Sequence, residues 1–327
     1  MKNFAYLRAT SVDEARHAAA QAGAMLLAGG TTLLDLAKCG VAQPETVVDI
    51  THLRGLDAIV LDANGVTIGA LAKMSAVAAD RGIREHYPAI SEALWQAASA
   101  QLRNMASIGG NLMQRTRCPY FRDPIAFPAC NKRDPGSGCA ALGGATRYHA
   151  VLGTSEACIA TNPGDLAVAL VALDAEILLG DRRVAADDFF LLPGTTPQRE
   201  HAIEPGEIIT GIHIPASAAA RNSTYLKVRD RQSYEFAAAS AAVGIAFEAD
   251  GTIGDLRVAL GGIASKPWRA HAVEAALRGQ PLRRETVERA AKQAVDGAVA
   301  HGANRYKIDL APRVVARAIL RAGGGIA

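Results

Sequence analysis

Four of the five cysteines in this 327-residue chain, Cys118, Cys130, Cys139 and Cys158, fall within one stretch, separated by 11, 8 and 18 residues. The stretch is rich in Gly, Pro, Asn and Arg and lacks helical or strand periodicity from Arg103 to about Asn162. A loop this long inside a compact domain is usually functional. Four thiolates from an irregular loop can wrap a cube-shaped iron–sulfur cluster, one ligand at each of four corners. Tetrahedral zinc also takes four cysteines, but structural zinc favours paired C-x(2–4)-C knuckles, and this stretch has none. Disulfides or unligated thiols are the remaining reading. Cys39, at a helix end beside Gly40, reads as a small buried residue outside the set.

Two glycine pairs offer a second kind of chemistry. In "LLAGGTTLLDL", residues 26–36, a strand runs through Gly29-Gly30 into a helix start. Backbone N–H groups without helical partners point into one concavity there and suit a phosphate, with Thr31 and Thr32 adding hydroxyls. An ordinary strand–helix turn has the same look, and the pattern is neither G-x-G-x-x-G nor a P-loop. In "ASIGGNLMQ", residues 106–114, Ser107 and Asn111 flank a second pair that lets a ligand approach the backbone. Two such turns in one domain fit a ligand with two phosphates and a ring system. Asp165 opens a helix in "NPGDLAVAL", as a first-turn acid does, and Lys227 in "STYLKVRD" reads by itself as a solvated strand lysine. No hydrolytic serine elbow and no H-E-x-x-H spacing occurs.

The elements that must carry these residues alternate between strand and helix. "SVDE" reads as a capping box with Ser11 at the N-cap and Glu14 three residues on, opening a helix that stops at Gly23. "AMLL", "TVVDI" and "VTIGA" are strand-like, and Asn64-Gly65 suits a hairpin turn. "ISEALWQAASAQL" reads as one helix with Ile90, Leu94, Ala97 and Ala98 on its buried face. "ASAAARNS", near residues 216–223, reads as a linker. Three strands and then three helices follow it, the arrangement of a small α+β domain. The last helix is expected over "APRVVARAILRAG".

Composition bounds the rest. The chain is half hydrophobic and carries a net charge of +3, which supports a sizeable core and gives no case for nucleic acid. From Lys266 onward 12 Lys/Arg face 5 Asp/Glu, leaving about −4 on the remainder, so a basic tail could meet an acidic partner or be plain solvated helix surface. No apolar run of about 18 residues suggests a membrane span, and "MKNFAYLRAT" has no hydrophobic region of a secretory signal.

Taken in order, "LLAGGTTLLDL", "QLRNMASIGGNLMQ", "NPGDLAVALVALDA", "EIITGIHIP", "YLKV" and "RYKIDLAPRVVARAIL" resemble the FAD-binding medium subunit of molybdenum hydroxylases, the xanthine dehydrogenase and aldehyde oxidoreductase family. The likeness runs over nearly the whole chain. The cysteine-bearing insertion, at about 115–160, is absent from most of that family. It resembles the FAD subunit of bacterial periplasmic three-subunit aldehyde oxidoreductases, where it carries a [4Fe–4S] cluster.

The resemblance implies an α/β fold: a two-lobed, PCMH-like FAD-binding domain over residues 1–215, distantly related to vanillyl-alcohol-type flavoproteins, then a smaller α+β domain over 216–327. It implies that Leu26, Leu27, Ala28, Gly29, Gly30, Thr31, Thr32 and Leu33 hold the FAD pyrophosphate. Ser107, Gly110 and Asn111 line the flavin and its phosphate side, Asp165 approaches the ring, Ile209 packs on the cofactor and Lys227 reaches its carbonyl edge. Cys118, Cys130, Cys139 and Cys158 become the cluster ligands. Thr32 departs from the Asp or Asn common in the family, and no NAD signature is present. The implied function is electron transfer in a heterotrimer, from a large molybdopterin subunit that oxidises an aldehyde, through a small subunit with two [2Fe–2S] clusters, to FAD. The implied location is the periplasm, by co-export with a signal-bearing partner; the chain's own start points to the cytoplasm. A free-standing flavin oxidase and a zinc-stabilised, non-redox binding module are the rival readings.

Overall fold

A computed structural model describes residues 1–324. β1 (Ala5–Arg8), α1 (Val12–Ala19), β2 (Ala24–Leu27), α2 (Leu33–Lys38) and β3 (Thr46–Asp49) form a first lobe with a parallel sheet, order β1-β3-β2. Ser11 caps α1 by accepting from Glu14 N at 3.1 Å. The returning arm of the box lands one residue early: Glu14 accepts from the Thr10 amide and hydroxyl. The helix ends at Ala19, and Gly23, at φ +73°, shapes the turn into β2 instead.

The second lobe is built on β4 (Ile59–Asp62) and β5 (Gly65–Gly69), joined by the two-residue loop 63–64, where Asp62 accepts from the N–H groups of Asn64 and Gly65. Next come α3 (Met74–Ala79), α4 (Arg81–His86), α5 (Pro88–Gln96), α6 (Ala100–Met105), α7 (Ile108–Leu112) and α8 (Pro119–Arg122). The expected single helix over 90–102 is two. Ala97 is extended, Ala98 lies at φ +49°, and Ser99 caps α6 through Leu102 N. A side-chain cap offers a new start that competes with helix continuation. Then follow α9 (Asp165–Ala172), β6 (Glu176–Leu179), β7 (Arg182–Ala185), α10 (Ala186–Phe189) and β8 (Gly211–Pro215), completing an antiparallel sheet of order β4-β5-β8-β6-β7.

The expected linker holds a helical turn, α11 (Ala218–Arg221), capped by Ser217 with Ala219 and Ala220 buried. β9 (Ser223–Val228), β10 (Ala239–Phe247), β11 (Ile253–Gly261) and β12 (Trp268–Arg269) make the third sheet, covered by α12 (His271–Leu277), α13 (Arg284–Ala291), a 3₁₀ turn (Lys292–Val295) and α14 (Tyr306–Ala322). The last helix starts a turn and a half before the expected residue and carries Pro312 within it.

β10 explains how the two halves join. Ala241, Val243 and Ile245 face the helices of the C-terminal part, while Ala242 on the other face joins the core built on α5, α9 and β8. A Cβ on Gly244 would stand 2.7 Å from the Ala219 carbonyl, so α11 and β10 need that glycine to touch. Both faces of this strand are buried, as expected of a central strand with helices on either side.

Candidate functional site

The two glycine turns meet in space. A Cβ on Gly29 would lie 2.2 Å from the Met105 carbonyl oxygen and 2.9 Å from the Ala106 Cα. Only glycine permits the strand end to rest against the segment that opens the second turn. Gly30, at φ +72°, then turns the chain into α2. Among the described residues, the N–H groups of Gly29, Gly30, Thr31 and Thr32 make no hydrogen bond within the protein. They are donors left for a ligand, as a phosphate site requires. Lys73 donates to the same Met105 carbonyl at 2.9 Å, placing a cation where the turns abut.

In the second turn, Ile108 N and Gly109 N donate to Ala72 O and Ala70 O at 2.9 and 2.8 Å. These bonds hang α7 on the residues after β5. Ser107 Oγ accepts from Gly110 N at 3.3 Å, so it shapes the turn as well as facing a ligand. Asn111 donates to the Met74 sulfur at 3.6 Å, while its buried Oδ1 has no partner. A buried, orphaned acceptor costs free energy unless a ligand donor meets it. The donors, the open backbone and this acceptor fit a flavin dinucleotide.

Asp165 and Lys227 are brought together. Lys227 Nζ stands 2.8 Å from Asp165 Oδ2, and its side chain is 1% exposed, so it is not the solvated strand lysine its surroundings in the sequence suggest. Tyr225, two residues earlier on the same face of β9, donates its hydroxyl to Asp165 Oδ1 at 2.5 Å. Lys227 also donates to Gln96 O at 3.1 Å, at the end of α5. Burial pushes the Asp165 carboxyl up, against the pull of Lys227 and the Tyr225 hydroxyl. The Tyr225 hydroxyl is held well above its ordinary range by burial and by Asp165. Sequence spacing missed Tyr225, although a period of two from Lys227 points at it. Ile209 is buried in the core around α9 and β8. A Cβ on Gly164 would lie 3.6 Å from Gln114 Nε2, so the start of α9 approaches the end of the second glycine motif.

The four cysteines of the insertion line one small cavity, together with Tyr120, Phe121, Asn131 and Lys132. All are free thiols, and Cys158 is buried. The free volume between them is about 10 Å³. Among the described residues no three His, Cys, Asp or Glu side chains converge as ligands of a single metal ion. Burial pushes the Cys118 thiol up to about 12 and raises Cys158 as well. Cys39 stands apart, 3.9 Å from the Arg122 guanidinium.

The loop is organised by side chains that the spacing of cysteines did not reveal. Arg133 donates to the carbonyls of Tyr120 at 2.5 Å, Phe121 at 2.7 Å and Pro128 at 3.1 Å, and to that of Phe127. Asn131 accepts from Gly136 N and Gly138 N and donates to Ala157 O at 2.9 Å. That ties the 130–139 turn, where the backbones of Cys130 and Cys139 lie antiparallel side by side, to the turn carrying Cys158. The loop then locks onto the first glycine motif. Arg117 and Arg122 both pair with Asp35 of α2. Leu33 and Leu36 pack with Phe121, Cys118 and Cys130 in one apolar cluster.

Two family models match consecutive parts of the chain. Residues 2–217 match the FAD binding domain in molybdopterin dehydrogenase, and 224–322 match the CO dehydrogenase flavoprotein C-terminal domain. The FAD-binding subunit of the Escherichia coli K12 aldehyde oxidoreductase is 44% identical, over 98% of this chain and 99% of that one. The carbon monoxide dehydrogenase medium chain of Hydrogenophaga pseudoflava is 28% identical, over 97% and 96%. A solved carbon monoxide dehydrogenase from the same organism superposes with a TM-score of 0.75 at 27% identity, covering 99% of each chain. The glycine turns, the order of lobes and these likenesses over the full length agree, and the chain belongs to the FAD-binding medium subunits of the molybdenum hydroxylase family, as an oxidoreductase subunit.

Proposed function

We propose that this chain is the electron-transfer subunit of a three-subunit, molybdenum-dependent aldehyde oxidoreductase. The observation that carries the reading is the 44% identity, end to end, with the aldehyde oxidoreductase FAD-binding subunit. A large partner would oxidise the aldehyde at a molybdopterin centre, and a small partner with [2Fe–2S] clusters would pass electrons on. FAD suits such a junction because it accepts electrons singly and releases them singly or in pairs.

The protein's part is to hold that cofactor. The free N–H groups of Gly29–Thr32 would take the pyrophosphate, with Lys73 supplying opposite charge. Asn111 Oδ1 would meet a donor of the ring system. The Asp165–Lys227–Tyr225 group is a fixed, buried arrangement of charge and hydrogen bonds that would act on the ring. Pre-oriented groups of this kind shift a cofactor's potential without reorganising when an electron arrives.

We assign a [4Fe–4S] cluster to Cys118, Cys130, Cys139 and Cys158. Four unpaired thiols on one cavity are the donor set that such a cluster takes. Their spacing lacks the paired C-x(2–4)-C knuckles that structural zinc favours. Export to the periplasm with a signal-bearing partner completes the proposal; recovery of the assembled complex in the cytosolic fraction alone would refute that part.

The test is the absorption spectrum and iron content of the anaerobically purified chain. Flavin bands over a broad iron–sulfur shoulder are expected, and aldehyde should bleach the flavin only when the partners are added. Bleaching of the isolated chain would make it a free-standing oxidase. A colourless, zinc-containing protein would make it a binding module.

A further inference from the structure

We propose that His149 donates a hydrogen bond from Nε2 to the Cys118 sulfur and, as a positioning residue, raises the reduction potential of the cluster. The inference rests on the cluster assignment above and deepens it.

His149 Nε2 stands 3.2 Å from Cys118 Sγ. The residue is 2% exposed, and its other ring nitrogen, Nδ1, is buried without a partner. The sulfur is the ring's hydrogen-bond partner among the described residues, and the Thr146 carbonyl acts on the ring without closing a hydrogen bond to Nδ1. A cysteine bound to iron is a thiolate and can only accept. The shared hydrogen must then sit on Nε2. The neutral ring carries its lone pair on Nδ1, which leaves an acceptor rather than a donor unmatched there. That is the cheaper of the two orphans to bury.

The ring is held rather than free to swing. Asn304 Nδ2 donates to Ala150 O at 2.9 Å and to His149 O at 3.5 Å. Ala303 N donates to Thr146 Oγ1 at 3.1 Å, and Ala150 N donates to Ile159 O at 3.0 Å. The segment before α14 thus fixes the backbone on both sides of the imidazole, and the Tyr120 ring lies 5.8 Å from it, centroid to centroid. Cys158 Sγ also receives an N–H, from the Ala160 amide at 3.4 Å, but that donor is backbone. His149 supplies its donor from a side chain, so it can be removed by mutation. A hydrogen bond to a ligating sulfur draws off electron density and eases addition of an electron to the cluster.

The experiment uses the full chain, purified anaerobically, with iron counted and both cofactors titrated redox-potentiometrically. In His149→Leu the reduced-to-oxidised ratio of the cluster, read by electron paramagnetic resonance at the wild-type midpoint, should fall about tenfold. The flavin midpoint should stay put, and His149→Gln, which keeps an N–H, should recover part of the loss. A full iron count with an unshifted cluster midpoint in His149→Leu overturns the proposal. Should that variant not fold, wild-type protein labelled with ¹⁵N-histidine decides: a nitrogen hyperfine coupling on the reduced cluster supports the bond, and its absence overturns it. Wild-type protein without iron would sink the cluster assignment itself, an outcome the iron count separates from the others.

Discussion

At Asp165 three side chains share one buried site, and their energetics are set by mutual dependence. The ion pair with Lys227 is almost fully withdrawn from water. Removing one partner of such a pair strands a charge, which costs far more than the pair itself contributes. Asp165→Asn should therefore lower stability by about 3–5 kcal/mol in chemical denaturation. The double replacement Asp165→Leu with Lys227→Met should recover most of that while leaving the flavin potential shifted. His201 gives a pH-dependent counterpart. Burial beside Phe189 and Phe190 pushes its pKa down to about 4, against about 6.5 in an unfolded chain. The unfolded chain takes up this proton first as pH falls. The contribution is full above about 6.5, declines toward about 4 and then levels, to a total of at most about 3 kcal/mol. Replacing His201 with Leu should flatten the acid limb of a stability–pH profile in that window by about one proton.

At the scale of elements, the glycine turns are defined by what they touch. Gly29 abuts a carbonyl oxygen that Lys73 holds in place. Gly110 meets only the Ser107 hydroxyl, at 2.9 Å, and that group can rotate. Gly29→Ala should cost more than about 1 kcal/mol, since backbone must move, and the purified protein should lose flavin absorbance relative to protein absorbance. Gly110→Ala should retain more flavin. An equal flavin loss in both would show that close backbone approach is not what holds the cofactor. The glycine pairs, the strands at β2, β3 and β5 and the Ser11 cap were legible because they are local features of the chain. The break at Ala98 was not, since apolar spacing continued through it while Ser99 opened a new helix. The turn of helix at 218–221 hid for a related reason: a polar, Ala-rich run looks like a linker until β10 offers it a surface.

Across the whole molecule, the flavin motif and the cysteine loop are physically continuous. Leu33 follows the first glycine turn and packs in the same cluster as Cys118 and Cys130, and two arginines of the loop pair with Asp35 of α2. This places the proposed cluster beside the proposed flavin site. We expect Cys130→Ser, in a folded protein depleted of iron, to slow aldehyde-driven reduction of FAD in the assembled complex, measured by stopped-flow absorbance at matched flavin content. An unchanged rate would make the cluster a clamp on the loop and not a relay.

By itself the sequence determined the chemistry that the chain could offer: four clustered thiols, two glycine pairs with adjacent hydroxyls, and the strand and helix that place the first pair between β2 and α2. Residue type and short-range spacing suffice for that, because turns, caps and donor sets are local. Only the tertiary structure decided the pairings. Asp165 and Lys227 are 62 residues apart, Asp35 and Arg122 are 87 apart, and Gly29 meets Met105 across two lobes. Contacts over such separations depend on how the sheets pack against α5, α9 and the loop, and no period along the chain encodes them.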